Sequence, residues 1–152
     1  MTAEHIRAAR EGDEVRLAEI EVFGYRQNFY PIFLTDRYFF SELTVPVLIG
    51  EYRSEPERLK NSFVYDDGIV KGFVRVSGRE IEKLFTDPAF LNRGIGAALL
   101  DRALTEGADR LLVLEKNKKA IRFYERHGFR LTDEKQRIDD TPEFLIRMVR
   151  PV

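Results

Sequence analysis

Apolar positions recur along this chain with two periods, near 3.6 in some stretches and 2 in others, and the switches between them outline the elements. A short strand is expected over His5 to Ala9. The signal Gly12-Asp13 then opens a helix on which Val15, Ala18 and Val22 repeat at helical spacing, with Ile20 and Phe23 widening the stripe. Tyr25 to Leu59 is rich in aromatics and reads as one or two further helices, broken near Pro31 and Pro46. From Ser62 the period changes to that of strands. Phe63-Val64-Tyr65 and Ile69 to Val76 flank Asp66-Asp67-Gly68, and Asp-Gly between apolar runs is a strong hairpin signal. Ser77-Gly78 makes a second tight turn into Arg79 to Thr86, so three antiparallel strands form a meander.

Gly94 to Glu106 returns to the helical period, with Ile95, Leu99 and Ala103 in one row and Leu100 and Leu104 beside it. Leu111 to Leu114 is an unbroken apolar run, which suits a strand covered on both faces. Lys118 to His127 is helical and ends at Gly128, a left-handed C-cap. Phe129 to Ile138 and Glu143 to Val149 form a last hairpin. The strands before and after the Gly94 helix should run parallel, joined by a right-handed crossover. The fold class expected is α/β (α+β), one domain over residues 1–152. Its sheet is mixed and mainly antiparallel, of about six to seven strands, with helices on both faces.

Composition narrows the function. The absence of cysteine removes disulfides, thiol nucleophiles and thiolate metal sites together. His5 and His127 are the only histidines, so no zinc site and no metal cofactor are expected. A net charge of −1 lacks the basic excess of nucleic-acid binders. No stretch reaches the roughly 20 apolar residues of a membrane span, and the polar start has no signal-peptide core. A cytoplasmic monomer or homodimer with no membrane partner is the expectation.

Chemistry concentrates first in Leu84-Phe85-Thr86-Asp87-Pro88-Ala89-Phe90-Leu91-Asn92-Arg93-Gly94-Ile95-Gly96-Ala97. A strand ends at Thr86, a turn follows, and two glycines open an amphipathic helix. Helix N-termini leave N–H groups unpaired and carry positive partial charge, so they accept phosphate, and glycine lets the anion come close. Arg93 can add charge and Asn92 a donor. A dinucleotide fingerprint would need a small residue where Leu99 stands, and a Walker loop would need Gly-Lys-Ser/Thr.

This segment resembles the first motif of the GNAT acetyltransferase family, Gln/Arg-x-x-Gly-x-Gly/Ala, with Asp87-Pro88 before it and Leu91 in place of Gln/Arg. Asn117-Lys118-Lys119-Ala120-Ile121-Arg122-Phe123-Tyr124-Glu125-Arg126-His127-Gly128-Phe129 is similar to the family's second signature, Asn-x-x-Ala-x-x-Phe-Tyr-x-x-x-Gly-Phe. The resemblance is clear over Ile69 to Phe129 and implies an acetyl-CoA-dependent N-acetyltransferase. It implies a pyrophosphate cradle at Asn92, Arg93, Gly94, Ile95, Gly96 and Ala97, with Leu91 beside it among the coenzyme-binding positions. Pantetheine would pair with the backbone of Leu84, Phe85 and Thr86 and meet Asn117, Ala120 and Phe123, between two parallel strands that splay apart.

Ala120, Phe123, Tyr124 and His127 share one helix face. Tyr124 reads either as a core aromatic or as the general acid for the departing thiolate, a phenol being protonated at neutral pH. Asn117 is an N-cap candidate as well, Phe123 a core residue, and His127 structural. Strict alternation puts Glu80, Glu82, Leu84 and Thr86 on one strand face and Ile81, Lys83 and Phe85 on the other. Glu80 and Glu82 are candidate bases for the acceptor amine, or else part of a solvated strand face or members of ion pairs with Arg75 or Lys83. A backbone N–H near Phe85 would polarise the thioester carbonyl. The resemblance implies that acceptor choice resides in Tyr25 to Leu59 and Asp133 to Pro142; the nearby acidic residues Asp139, Asp140 and Glu143 either attract a cationic amine or mark a solvated turn. A non-catalytic CoA-binding domain is the rival reading.

Overall fold

The computed structural model describes residues 2–151. One seven-stranded sheet runs β1-β2-β3-β4-β5-β7-β6. Its strands are β1 (Ile6–Ala8), β2 (Ser62–Asp66), β3 (Val70–Ser77), β4 (Glu80–Thr86), β5 (Arg110–Leu114), β6 (Arg130–Arg137) and β7 (Phe144–Val149). Every neighbouring pair is antiparallel except β4 and β5, which are parallel and joined through a helix as expected. Turn chemistry explains the meander: the Asp66 carboxylate accepts from the Gly68 N–H at 2.9 Å, and Gly68 and Gly78 sit at φ of 114° and 60°. Charged β6 closes one edge, where such residues discourage further pairing.

The helices α1 (Glu14–Asn28), α2 (Tyr30–Phe33), α3 (Val45–Ser54), α4 (Glu57–Lys60), α5 (Ile95–Thr105) and α6 (Lys118–Arg126) accompany the sheet. Leu17, Ile20, Leu48 and Tyr52 from α1 and α3 bury Val64, Phe73 and Phe85 of the sheet. On the opposite side Leu99, Leu100, Ile121 and Tyr124 from α5 and α6 bury Val74, Leu111 and Met148. Among the described residues no helix is long and apolar enough to cross a membrane.

Two expectations change. Tyr25 to Leu59 holds more helical pieces than the one or two expected; the breaks near Pro31 and Pro46 are present, each proline lying in the first turn of the next helix, α2 or α3, where a missing N–H costs nothing. The α1 stripe is also displaced, with Val15 and Phe23 exposed while Leu17, Glu21 and Gly24 are buried. A glutamate and a glycine complete that stripe, so a purely apolar pattern misplaces its phase.

Gly24 has a physical reason. Glycine inside a helix costs about 1 kcal/mol relative to alanine, yet a Cβ here would stand 2.4 Å from Cδ1 of Phe85. That ring is held by Tyr25, Phe29 and Phe73 at centroid distances of 5.2, 6.2 and 6.0 Å. Gly24→Ala should therefore destabilise the fold by about 1–3 kcal/mol despite the better helix former, lowering the melting temperature by several degrees. A thermal melt equal to or above wild type would show that Phe85 moves freely.

Candidate active site

β4 and β5 pair only at Glu80–Arg110 and Ile81–Leu111 and then separate. The separation starts at a bulge: Arg75 faces Lys83 while Val76 faces Ile81, leaving Glu82 as the extra residue. The bulge also overturns the strict alternation expected along this strand. Ile81 and Leu84 pack with α5, whereas Phe85 packs with α1. Past Ile81 the β5-facing backbone groups of β4 have no strand partner.

The gap opens as a cleft of about 530 Å³ lined by Glu80, Glu82, Lys83, Phe85, Leu112 and Tyr124 among others. It runs into a second cleft of about 390 Å³ between β4, α5 and α6. Leu84, Phe85, Asn117, Ala120 and Tyr124 line both. The second cleft gathers Thr86, Leu91, Asn92, Gly94, Ile95, Gly96, Ala97 and Phe123, so the coenzyme-binding candidates meet here with one exception, while Glu80 and Glu82 line only the first cleft of these two. Arg93 lies outside, its guanidinium stacked 5.4 Å from the Phe90 ring centre. Positive charge comes instead from Lys119 and Arg126, and α1 adds Gln27 and Asn28. Sequence reasoning missed these four, although Lys119 and Arg126, seven apart on one helix, share a face.

The start of α5 is built for an anion. Asn92 and Gly94 take positive φ, 64° and 82°, and Gly94 occupies the cap without a side chain to bond the first turn. The N–H groups of Ile95, Gly96 and Ala97 thus have no intrahelical acceptor and can form an anion-binding nest at the positive end of the helix dipole. The Asp87 carboxylate fixes the approach, accepting from the Ala89 N–H at 2.9 Å and from Arg16 of α1 at 3.0 Å. By contrast α6 is capped: Asn117 Oδ1 accepts from the Ala120 N–H at 3.3 Å, leaving its amide N–H groups for a ligand.

Tyr124 stands where the two clefts meet. Its ring packs on Phe129 and Phe123 at 5.6 and 5.2 Å, while among the described residues nothing hydrogen-bonds its hydroxyl. No sealed polar atom among the described residues lacks a partner, so this hydroxyl stays open to the cleft. Burial raises its pKa above the ordinary phenol value. Phe123 is half-buried as a cleft wall, and His127, also on that wall, places its Nδ1 2.8 Å from the Phe123 carbonyl.

The two glutamates differ. Glu80 accepts from Arg147 of β7 at 2.6 Å rather than from Arg75 or Lys83. Arg75 is buried elsewhere, with Glu21 and Tyr52. Glu82, exposed at the bulge, makes no ion pair among the described residues.

A relative from Salmonella typhimurium, "Peptidyl-lysine N-acetyltransferase YjaB", is 31% identical over 122 residues, 72% of this chain and 83% of that one. The chain belongs to the GNAT acetyltransferase family. The pattern describing the Acetyltransferase (GNAT) domain matches residues 59–131, which contain both motifs. Apo-form YjaB from Escherichia coli superposes with a TM-score of 0.69 at 26% identity, covering 95% of each chain. The PaiA N-acetyltransferase of Thermoplasma acidophilum, solved with coenzyme A, superposes at 0.65 and 20%, covering 93% of this chain and 96% of that one. Its GNAT membership makes this protein an acetyl-CoA-dependent N-acetyltransferase.

Gly96 allows a graded test of the α5 nest. A Cβ there meets nothing nearer than Phe123 Cζ at 3.6 Å, so Gly96→Ala should fold and bind coenzyme A nearly normally. Gly96→Glu should fold too but put a carboxylate into the anion site, weakening coenzyme A by about tenfold or more in calorimetry. Unchanged affinity in the Glu variant would place the pyrophosphate elsewhere.

Proposed function

We propose that the enzyme passes the acetyl group directly from acetyl-CoA to the neutral amine of a lysyl side chain, with no acyl-enzyme. The observation that carries this reading is the unpartnered Tyr124 hydroxyl at the meeting of the two clefts. The lysyl acceptor is taken from the YjaB relatives, which are named peptidyl-lysine N-acetyltransferases.

The pyrophosphate sits on the N–H groups of Ile95 to Ala97, with Asn92, Lys119 and Arg126 around it. Pantetheine adds itself to the open edge of β4 along Leu84 to Thr86, as an extra strand would, and the Asn117 amide donates to it. The acetyl group then lies in the gap, its carbonyl oxygen held by a backbone N–H near Phe85. The amine attacks that carbon, and Glu82 takes its proton directly or through a water. As the tetrahedral intermediate collapses the C–S bond breaks, and Tyr124 donates to the leaving sulfur. Glu82 is preferred to Glu80 because Arg147 already occupies the Glu80 carboxylate.

Tyr124→Phe keeps the ring contacts and removes only the donor. It should lower kcat by roughly 10²-fold, while coenzyme A affinity and melting temperature change little, because the bond forms in the transition state. Thiol release at saturating substrate beside a melting curve decides this. Full activity would leave water as the donor, and a loss that tracks stability would make Tyr124 a packing residue.

The bases separate in the same assay. Glu82→Gln should cut kcat/KM about tenfold or more and displace the acidic limb of its pH profile. Glu80→Gln should leave that limb in place. The opposite outcome would assign the proton to the carboxylate paired with Arg147.

A further inference from the structure

A third cleft, about 680 Å³, lies on the α1 side of the sheet next to α3 and, apart from Glu82 on its wall, has no part in the steps above. Glu21, Tyr25, Tyr38, Arg75, Glu82 and Lys83 are among its walls. Tyr25, Glu82 and Lys83 also line the gap between β4 and β5, so the two spaces adjoin across the bulge.

Most charges in this cleft are matched. Glu21 lies 3.7 Å from Arg75 and accepts from Tyr52 at 2.8 Å. Arg58 holds Glu51 at 3.5 Å and Glu55 at 2.7 Å, and Glu57 stands 3.7 Å from Lys60. Besides Glu82, the exception is Lys83. Its ammonium lies 5.1 Å from the centre of the Tyr25 ring and, among the described residues, makes no ion pair or hydrogen bond. Desolvation lowers its pKa, against the pull of Glu21 and Glu82. A largely buried cation without a hydrogen bond or ion pair is costly, and the β4 strand does not require a cation here, since an apolar side chain could stack on Tyr25 equally well.

We propose that Lys83 receives a carboxylate carried by the acceptor, so the preferred amine is one that bears a carboxylate as well. The inference rests on the acetyl-transfer reading and refines its substrate class. The carboxylate belongs to free lysine-like amines or to an acidic or C-terminal neighbour of a lysyl residue. A singly charged carboxylate matches one ammonium, whereas a phosphate dianion would leave excess negative charge beside Glu21 and Glu82. The acceptor's ammonium, before it loses its proton, has Glu82 within the same walls.

The test compares amines that differ in one carboxylate. These are Nα-acetyl-lysine and its N-methylamide, γ-aminobutyrate and butylamine, and an Asp-Lys-containing peptide against its Asn-Lys counterpart. Thiol release on wild type should favour the carboxylate member by about tenfold in kcat/KM, carried mainly by KM. The first two pairs report a free carboxylate and the third a peptide one. Lys83→Met, which keeps the stem over Tyr25, should bring the ratio near one, and Lys83→Arg should restore most of it. Melting curves and coenzyme A calorimetry show that the variants are folded, and the wild-type ratios stand without them. Equal use of both members of every pair by wild type, or a preference that survives Lys83→Met, overturns the proposal while leaving acetyl transfer intact. Absence of thiol release with every amine overturns both.

Discussion

Two parallel strands that start together and then part leave a row of peptide groups facing a gap, and a peptide group without a partner is expensive unless water or a ligand reaches it. β4 and β5 share two registered positions, after which they diverge. The bulge at Glu82 makes this possible by turning β4 while its other edge keeps pairing with β3 as far as Thr86. Side chains from both faces then hold the gap open, Phe85 anchored against α1 and Tyr124 against Phe129. Gly24 in α1 and Gly72 in β3 permit the close packing this needs. A Cβ on Gly72 would lie 2.9 Å from the Phe85 carbonyl oxygen and 3.1 Å from Ile95 Cγ2.

The second unsatisfied set belongs to α5, and its direction complements the first. Helices usually find a side-chain cap for their opening N–H groups, as Asn117 does for α6. Gly94 provides none for α5. The helix therefore begins with free donors beside the open edge of β4, and a molecule with a phosphate at one end and an amide-bearing arm at the other satisfies both. The chemistry of acetyl-CoA thus matches two separate deficits in the backbone, and a site that relied on them would need few charged side chains, as the second cleft has.

Much of this was legible because it depends on local signals. Asp66-Asp67-Gly68 specifies a hairpin within its own residues, and Asn117 to Phe129 carries a cap, a helix face and a C-cap at fixed spacing. The nest at Asn92 to Ala97 could be placed because glycines at a helix start have a physical consequence. What escaped depends on contacts between distant segments. The Glu82 bulge is a matter of register against β3, and nothing in Glu80 to Thr86 itself reveals it. Glu21 is buried because Tyr52 and Arg75 meet it from α3 and β3. Arg147, whose partner is Glu80, lies on the last strand. Lys83 did leave a trace, as a cation between Ile81 and Phe85, but the trace alone does not distinguish an ion pair from an unpaired charge.

The energetics of the leaving group limit what Tyr124 does in the proposed reaction. An ordinary thiol has a pKa near 8.5 and an ordinary phenol near 10, and burial moves the Tyr124 phenol further up. Full transfer of its proton to a free thiolate is therefore uphill by at least ~2 kcal/mol. A hydrogen bond from the phenol to sulfur is a different matter. It strengthens as charge builds on the sulfur, acts in a site from which water is partly excluded, and costs no reorganisation, because the hydroxyl has no competing protein partner to leave. The same burial that makes Tyr124 a poor acid keeps it protonated and available as a donor around neutral pH and above. The proton that finally reaches coenzyme A then comes from water or is relayed through the phenol. The demanding proton transfer of the cycle lies at the other end of the gap, where the amine must lose its proton beside Glu82 before it can attack.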